Sequence, residues 1–489
     1  MNDQNQSSLN PNGVKRVASL KQFSRLIRKT FIAFVMKVFV HPVVAFAKRF
    51  KNASVQTKIA HVIMGFGNFT RKQIIKGVLY LVFQIGFLFV LITSPEVNRT
   101  PIGFKAIGNF FTLGTEEGDI FNPTDNSMLM LLFGVITFGI LFGFWMLYNS
   151  NIKSSINLDL ELASGKKPNT FKQDLASLLD ERFHITMLTP TFIGVATFTL
   201  LPTLFMILIA FTNFDANVTP GQQLFEWVGF RNFAGIFGGT GEIAVRFWPV
   251  LSWTMTWAFF ATFSNYIAGI LLALLINKKT IKLKKLWRTI FIMTIAIPQF
   301  VSLLAVRNLL SEFGPINGML LNLGVIDNPI RFLSTATNAL TPRVTVLVIN
   351  LWVGIPYTML MTSGILMNVP QDLYEAATVD GANKRQLFRH ITVPYIIFVT
   401  TPYLITSFVG NITSFNIIFL LTGGGPSLKA GYVAGSTDLL VTWLYKLTID
   451  NNEYNIGSVV AIMTFIITAT GTLLSYRKSK AYKEEEAFQ

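Results

Sequence analysis

The sequence predicts an all-α, polytopic helical membrane protein with about eight transmembrane helices. Three observations carry that prediction. The chain of 489 residues is 51% hydrophobic and only 13% charged. Its apolar residues collect in runs of about 20, the length at which a helix crosses a bilayer core. The central parts of the strong runs contain no Asp, Glu, Lys or Arg. The net charge of +16 fits basic cytoplasmic loops, which membrane proteins favour on that side, so nucleic acid is not an expected partner. With no cysteine there is neither a disulfide frame nor a thiolate metal site. His41, His61, His184 and His390 lie far apart, and no metal site is expected from them.

Residues 1–75 form a basic cytoplasmic or interfacial region whose sole acid is Asp3. The Asn/Ser/Gln-rich opening reads as disordered, and no cleavable signal is evident. The apolar stretch 31–47 is interrupted by Lys37, His41 and Pro42. It reads as an interfacial helix on an anionic leaflet, as does the weaker stretch 59–69; a ninth span at 31–47 is the alternative. Strong spans follow at 76–94, 128–148, 187–211, 249–276, 287–306, 343–367, 395–421 and 456–476. Lys278, Lys279, Lys282, Lys284, Lys285 and Arg288 crowd one short connection, and Arg477, Lys478 and Lys480 follow the last span. The first loop instead carries Glu96, Glu116, Glu117, Asp119 and Asp125. Positive-inside then puts both termini and the loop between spans six and seven in the cytoplasm. The loop 149–181 has an amphipathic helical pattern near 171–179.

Between spans six and seven lies a polar, helix-forming insert: Glu375-Ala376-Ala377-Thr378-Val379-Asp380-Gly381-Ala382, running on through Phe388, Ile391 and Pro394. Pro370 helps to start a short helix with Leu373, Ala376 and Ala377 on one edge. Gly381 is the natural stop, since glycine takes the left-handed conformation without a Cβ penalty. A second short helix is expected from Ala382 to about Ile391. From the residues alone, this is either a docking element or a solvated connection.

Energy-coupling chemistry is missing from the chain. No phosphate-binding G-x-x-x-x-G-K-[ST] occurs, because Gly165-Lys166-Lys167 lacks both the upstream glycine and the hydroxyl residue. No intramembrane carboxylate or histidine chain offers a proton relay, and no catalytic arrangement is recognisable. The chain reads as a non-enzyme. Two span faces are polar but neutral: Asn350, Gly354 and Tyr357 on span six, and Ser407, Asn411 and Ser414 on span seven, each at i, i+4 and i+7. Gly354-Ile355-Pro356 is expected to loosen span six and expose carbonyls. Amides, hydroxyls and a phenol suit an uncharged, hydroxyl-rich ligand. The same residue types also serve inter-helix packing.

The insert's EAA…DGA pattern, closed by Phe388, Ile391 and Pro394, resembles the EAA coupling loop of ABC importer permeases, which seats in a groove of the ATPase subunit. Roughly the last 300 residues are similar to the MalF-type permease subunit of maltose/maltodextrin importers. That likeness rests on Asn350-Leu351-Trp352-Val353-Gly354 with Pro356-Tyr357, on Leu421-Thr422-Gly423-Gly424-Gly425-Pro426, and on Ala434-Gly435-Ser436-Thr437-Asp438-Leu439-Leu440-Val441. The resemblance implies a type I ABC importer permease: a basic N-terminal region 1–75, two spans and a cytoplasmic loop over 76–186, and a permease core over 187–489 with its coupling loop at 371–394. It implies that Asn350, Val353, Gly354, Tyr357, Ser407, Asn411 and Ser414 line a sugar site. It assigns Glu375, Ala376, Ala377, Asp380, Gly381, Ile391 and Pro394 to ATPase coupling. The implied partners are a second, MalG-type permease subunit, two ATP-binding subunits that hold ATP and Mg, an extracellular sugar-binding lipoprotein, and the lipid bilayer. The implied location is a bacterial cell membrane, Gram-positive because the external stretch 213–247 lacks the folded insertion of enterobacterial relatives. Gly410 and Ser414 depart from the family's best-known member, which leaves the preferred glucan open. The alternatives are a permease for another neutral sugar or polyol and, from a different class, an ion-coupled secondary transporter.

Overall fold

Apolar runs of the expected length fold as helices in the computed structural model, which describes residues 50–51, 53–97, 100–114, 126–218, 224–238, 242–278, 280–334, 339–427 and 433–478. The stretch 31–47 lies outside the described residues. By internal contacts the chain divides into two compact units: Met1–Phe111 with Leu129–Leu201, and Thr112–Met128 with Pro202–Gln489.

In the first unit, α1 (Val55–Ala60) and α2 (Phe66–Phe69) precede the membrane helix α3 (Ile74–Thr93). A two-residue hairpin, β1 (Glu96–Val97) with β2 (Thr100–Pro101), and α4 (Phe104–Phe111) follow. The next helix, α5 (Ser127–Ala163), has 37 residues and is about 55 Å long at 1.5 Å per residue. A hydrocarbon core is about 30 Å thick, so α5 does not end at 148, where its apolar run stops. It continues as a polar helix beyond the membrane. On that extension α1 and α2 are fastened by buried hydrogen bonds. The Thr57 hydroxyl donates to Asp159 at 2.7 Å, the Asn151 side chain donates to the Ala60 carbonyl at 3.0 Å, and Arg71 pairs with Asp159 while donating to Gly67 O at 2.9 Å. The expected amphipathic segment is α6 (Phe171–Leu179), opened by a Thr170/Gln173 capping box. The third span begins in this unit as α7 (Phe183–Val195), passes a π-turn at Ala196–Leu200, and ends as α8 (Leu201–Ile209), which from Pro202 on is counted with the second unit.

In the second unit, α9 (Arg231–Phe237) leads into α10 (Glu242–Asn277), the helix around which the others pack. The fifth predicted span is not straight. Its halves, α11 (Lys284–Ala296) and α12 (Gln299–Leu309), meet at 91°. The cause is Pro298, which has no N–H and excludes the α region for the residue before it; Ile297 is extended, with φ −78° and ψ 128°. Counted as one broken span, the pair brings the candidate membrane spans to eight among the described residues.

After α13 (Pro315–Asn322), α14 (Leu340–Met367) runs unbroken through Gly354-Ile355-Pro356. The expected loosening is therefore limited to one missing amide donor, that of Pro356. Next come α15 (Gln371–Val379) and α16 (Lys384–Leu387), which passes through a π-turn at Phe388–Thr392 directly into the seventh span, α17 (Val393–Ile412). The second coupling helix is thus not separate but the base of a membrane helix. A break at Thr413–Phe415 precedes α18 (Asn416–Thr422); α19 (Leu440–Tyr445) and α20 (Tyr454–Lys478) complete the chain. Trp253, Trp257, Val346, Ile349, Ile418 and Leu439 anchor one buried cluster of this unit. Phe247, Trp443, Val459 and Val460 anchor a second. Both clusters draw on α10.

Candidate functional site

Helices α10, α14 and α17 carry the polar faces. α10 packs against both of the others, whereas α14 and α17 touch each other little. The faces singled out on spans six and seven therefore meet a third helix rather than one another. Asn350 is buried, 4% exposed, and its Nδ2 has no hydrogen-bond partner. One turn on, a Cβ at Gly354 would lie 2.2 Å from the Asn265 Nδ2 of α10, so any larger residue there makes the Asn265 side chain move. The Oδ1 of Asn265 is likewise buried without a partner. Val353 packs at the edge of the Trp253 cluster. Tyr357 is half exposed, its ring 5.8 Å from that of Tyr403 on α17.

On α17, Asn411 donates to the Thr262 hydroxyl of α10 at 2.9 Å, and Ser407 is half-buried. The helix ends at Ile412, so Ser414 sits in the following break and not on the helical face the spacing implied. Sequence reasoning missed Thr262, Asn265 and Tyr266 of α10; the Tyr266 hydroxyl bonds Thr400 of α17 at 2.6 Å. Their signal was present as polar residues at i, i+3 and i+4 inside an apolar run. The assembled face is neutral. Orphaned amides in an uncharged setting offer donors and acceptors to an uncharged polar ligand, because a buried amide without a partner costs free energy until something satisfies it.

The coupling loop is presented outward. Glu375, Ala376, Asp380 and Pro394 are exposed, and Ala377 and Ile391 are half-buried. Gly381 turns the chain at φ +81°, a conformation that costs other residues about 1–2 kcal/mol. Asn383 then opens α16 with a capping box to Gln386. Val379, 88% exposed, and Leu373 and Phe388, also exposed, present apolar side-chain surface to the outside.

At the other end of the second unit, Asp438 of the Ala434–Val441 stretch is almost fully buried. It accepts from Lys446 Nζ at 2.7 Å, the Gly435 amide at 2.7 Å and the Thr442 hydroxyl at 2.8 Å. Burial pushes its carboxyl above the usual range; the Lys446 charge and the hydrogen bonds from Lys446, Gly435 and Thr442 pull against that. Nearby, Arg343 donates to the Ser436 carbonyl at 2.8 Å and stacks on Trp253 at 4.5 Å. The Gly-rich and Asp438-bearing motifs thus form a packed clamp on α10 and α14. Among the described residues, no group of three His, Cys, Asp or Glu side chains is placed to hold a metal.

Residues 265–478 match the family described as binding-protein-dependent transport system inner membrane component. The chain is 34% identical over 426 residues to the galactooligosaccharides transport system permease protein GanP of Bacillus subtilis (strain 168), covering 87% of this chain and 97% of the relative. It is 33% identical over 432 residues to the maltodextrin transport system permease protein MdxF of the same organism, covering 87% and 95%. Among solved structures it resembles a bacterial ABC transporter involved in import of the acidic polysaccharide alginate. That likeness has a TM-score of 0.51 and 23% identity, over 63% of this chain and 98% of the other, and it concerns the fold.

Proposed function

The chain belongs to the binding-protein-dependent transport system inner membrane component family, and from that premise we propose that it is the permease subunit of an ATP-driven importer for neutral oligosaccharides, malto-oligosaccharides first. It is a multi-pass membrane transport subunit, not an enzyme. Family membership removes the ion-coupled alternative.

The observation that carries the substrate class is the uncharged α10–α14–α17 face with its unpaired Asn350 and Asn265 amides. In our reading Asn350, Val353, Gly354, Tyr357, Ser407 and Asn411 line the path, Ser414 flanks it, and Thr262, Asn265 and Tyr266 form its third wall. An anionic sugar would call for Arg or Lys, which the central parts of these spans lack. Contacts such as Asn411–Thr262 hold the face closed in this conformation, and parting α17 from α10 frees them for sugar hydroxyls. The lever is the loop from Glu375 to Pro394. Two ATPase subunits close on ATP, shift α15, and through the turn at Gly381 and the continuous α16–α17 base move the seventh span. The ATP and Mg belong to those partners. A MalG-type permease completes the pore, and an external sugar-binding protein delivers the sugar. We place both termini and the coupling loop in the cytoplasm on the basic loop at Lys278–Arg288, and the chain in a Gram-positive bacterium on the short external stretch 213–247.

The similarity to GanP favours a second reading, galactooligosaccharides. Uptake of labelled maltotriose and of labelled galactotriose, in cells with and without this chain, separates the two. Loss of maltotriose uptake alone supports the first, loss of galactotriose uptake alone the second, and loss of neither overturns both.

A further inference from the structure

The first unit holds a polar cavity of about 820 Å³ that the transport reading does not use. It lies where α5 passes from its apolar to its polar half and where α3 enters the apolar run. Tyr80 and Trp145 line it at that level, as amphipathic rings do at a membrane–water boundary. Three cations, Lys76, Lys153 and Arg182, and two carboxylates, Asp174 and Glu161, line the cavity, so its balance is positive by one charge. Lys76 is neutralised by Asp174 at 3.0 Å, whereas the exposed Lys153 and Arg182 have no ion pair among the described residues. The cavity is far larger than one inorganic phosphate. Beneath it, Leu79 and Val82 of α3 and Phe142 and Met146 of α5 leave an exposed apolar surface.

We propose that this cavity seats the phosphate headgroup of an anionic phospholipid of the cytoplasmic leaflet, with Lys153 and Arg182 as its cationic contacts and its acyl chains on the apolar surfaces of α3 and α5. The choice of leaflet rests on the orientation given above. The chain's own N-terminal segment is a poor occupant, since residues 1–49 are strongly basic with Asp3 the sole acid and a lining with one net positive charge does not attract them. A cationic side chain at an anionic membrane surface contributes about 1 kcal/mol, roughly fivefold in affinity. Lys153 and Arg182 together therefore account for about 30-fold.

The test is a lipid titration of the delipidated full-length chain in detergent, read by native mass spectrometry. One tightly retained phosphatidylglycerol is expected, with phosphatidylcholine retained poorly. Lys153→Gln with Arg182→Gln is expected to weaken phosphatidylglycerol binding about 30-fold, while Lys153→Arg with Arg182→Lys keeps it and shows that charge, not packing, is read. Equal retention by wild type and the Gln pair overturns the proposal, as does equal retention of the two lipids. Displacement of the lipid by millimolar inorganic phosphate would also overturn it, by marking a soluble-anion site. The readout needs neither sugar nor ATP, so its failure is distinct from failure of the transport reading.

Discussion

The hydroxyl of Tyr374 lies 2.9 Å from Oγ1 of Thr392. Tyr374 belongs to the first coupling helix, α15, and Thr392 to the π-turn at the base of the seventh span. The bond closes across the turn at Gly381, so the two limbs of the coupling loop are joined at both ends. A push on α15 then reaches α17 as rotation of one piece rather than bending of a loop.

Tyr374→Phe removes that hydroxyl and keeps the ring. A hydrogen bond of this kind contributes about 1 kcal/mol net, too little to unfold the chain. Sugar uptake is expected to fall several-fold, with membrane insertion unchanged and ATP hydrolysis by the assembled transporter continuing. Wild-type uptake by the variant would show that the lever does not need this tie.

At Gly381 the requirement is conformational, because a Cβ there meets nothing within 4 Å in this chain. Asn tolerates the left-handed region and a β-branched residue does not. Gly381→Asn is therefore expected to keep most transport and Gly381→Val to lose it, both with normal membrane levels. Gly381→Asp tests close approach by the ATPase, since it adds bulk and charge with less backbone strain. If Asn and Asp both abolish uptake, contact with the partner, not the turn, sets the requirement.

Asn411→Ala leaves the Thr262 hydroxyl without its partner, at about 1 kcal/mol. If Asn411 also meets sugar, KM for oligosaccharide uptake rises at constant amounts of assembled complex. Unchanged kinetics for several oligosaccharides would reduce Asn411 to a packing residue. Gly354→Ala is expected to act indirectly. Its new methyl displaces the Asn265 amide, so KM for oligosaccharide uptake is expected to rise through the disturbed face while the level of folded protein stays near wild type; a large drop in folded protein would mean that Asn265 cannot swing away and the helices are overpacked.

Much of this architecture is legible in the sequence because bilayer thickness fixes the length of an apolar run. Gly381 and the α6 segment were readable from local rules alone. Other features depend on tertiary context. The polar end of α5 is helical because α1 and α2 bury Thr57 and Arg71 against it, a partner that no periodicity within 149–163 announces. The 91° bend at Ile297-Pro298 lies in a run that hydropathy averages into a straight span. For the site, the two polar faces were visible, but spacing within a helix cannot say which helix comes opposite. Asn265 emerges only once the fold sets its side chain against Gly354.

The clamp around Asp438 gives the last prediction. Its carboxylate is buried and held by Lys446 at 2.7 Å. Lys446→Met removes the compensating charge and leaves an unpaired buried one, a loss of about 3–5 kcal/mol in comparable cases. The direction of the pH dependence follows from the carboxyl's raised pKa. The folded state then holds the proton more tightly than the unfolded chain, whose carboxyl titrates near 3.8. Stability from this group is therefore greatest at low pH and falls as pH rises from 3.8 through the folded value. Removing Lys446 withdraws one influence that lowers the pKa and moves that window upward. The Lys446→Met protein is thus expected to melt well below wild type at pH 8 and to regain part of the difference at pH 5. The Asp438→Asn/Lys446→Met pair is expected to be less damaged than Lys446→Met alone, and insensitive to pH over that range. Thermal melts of the three proteins in detergent decide the matter. A Lys446→Met deficit that does not shrink on acidification would mean that Lys446 contributes by packing its stem rather than by balancing Asp438.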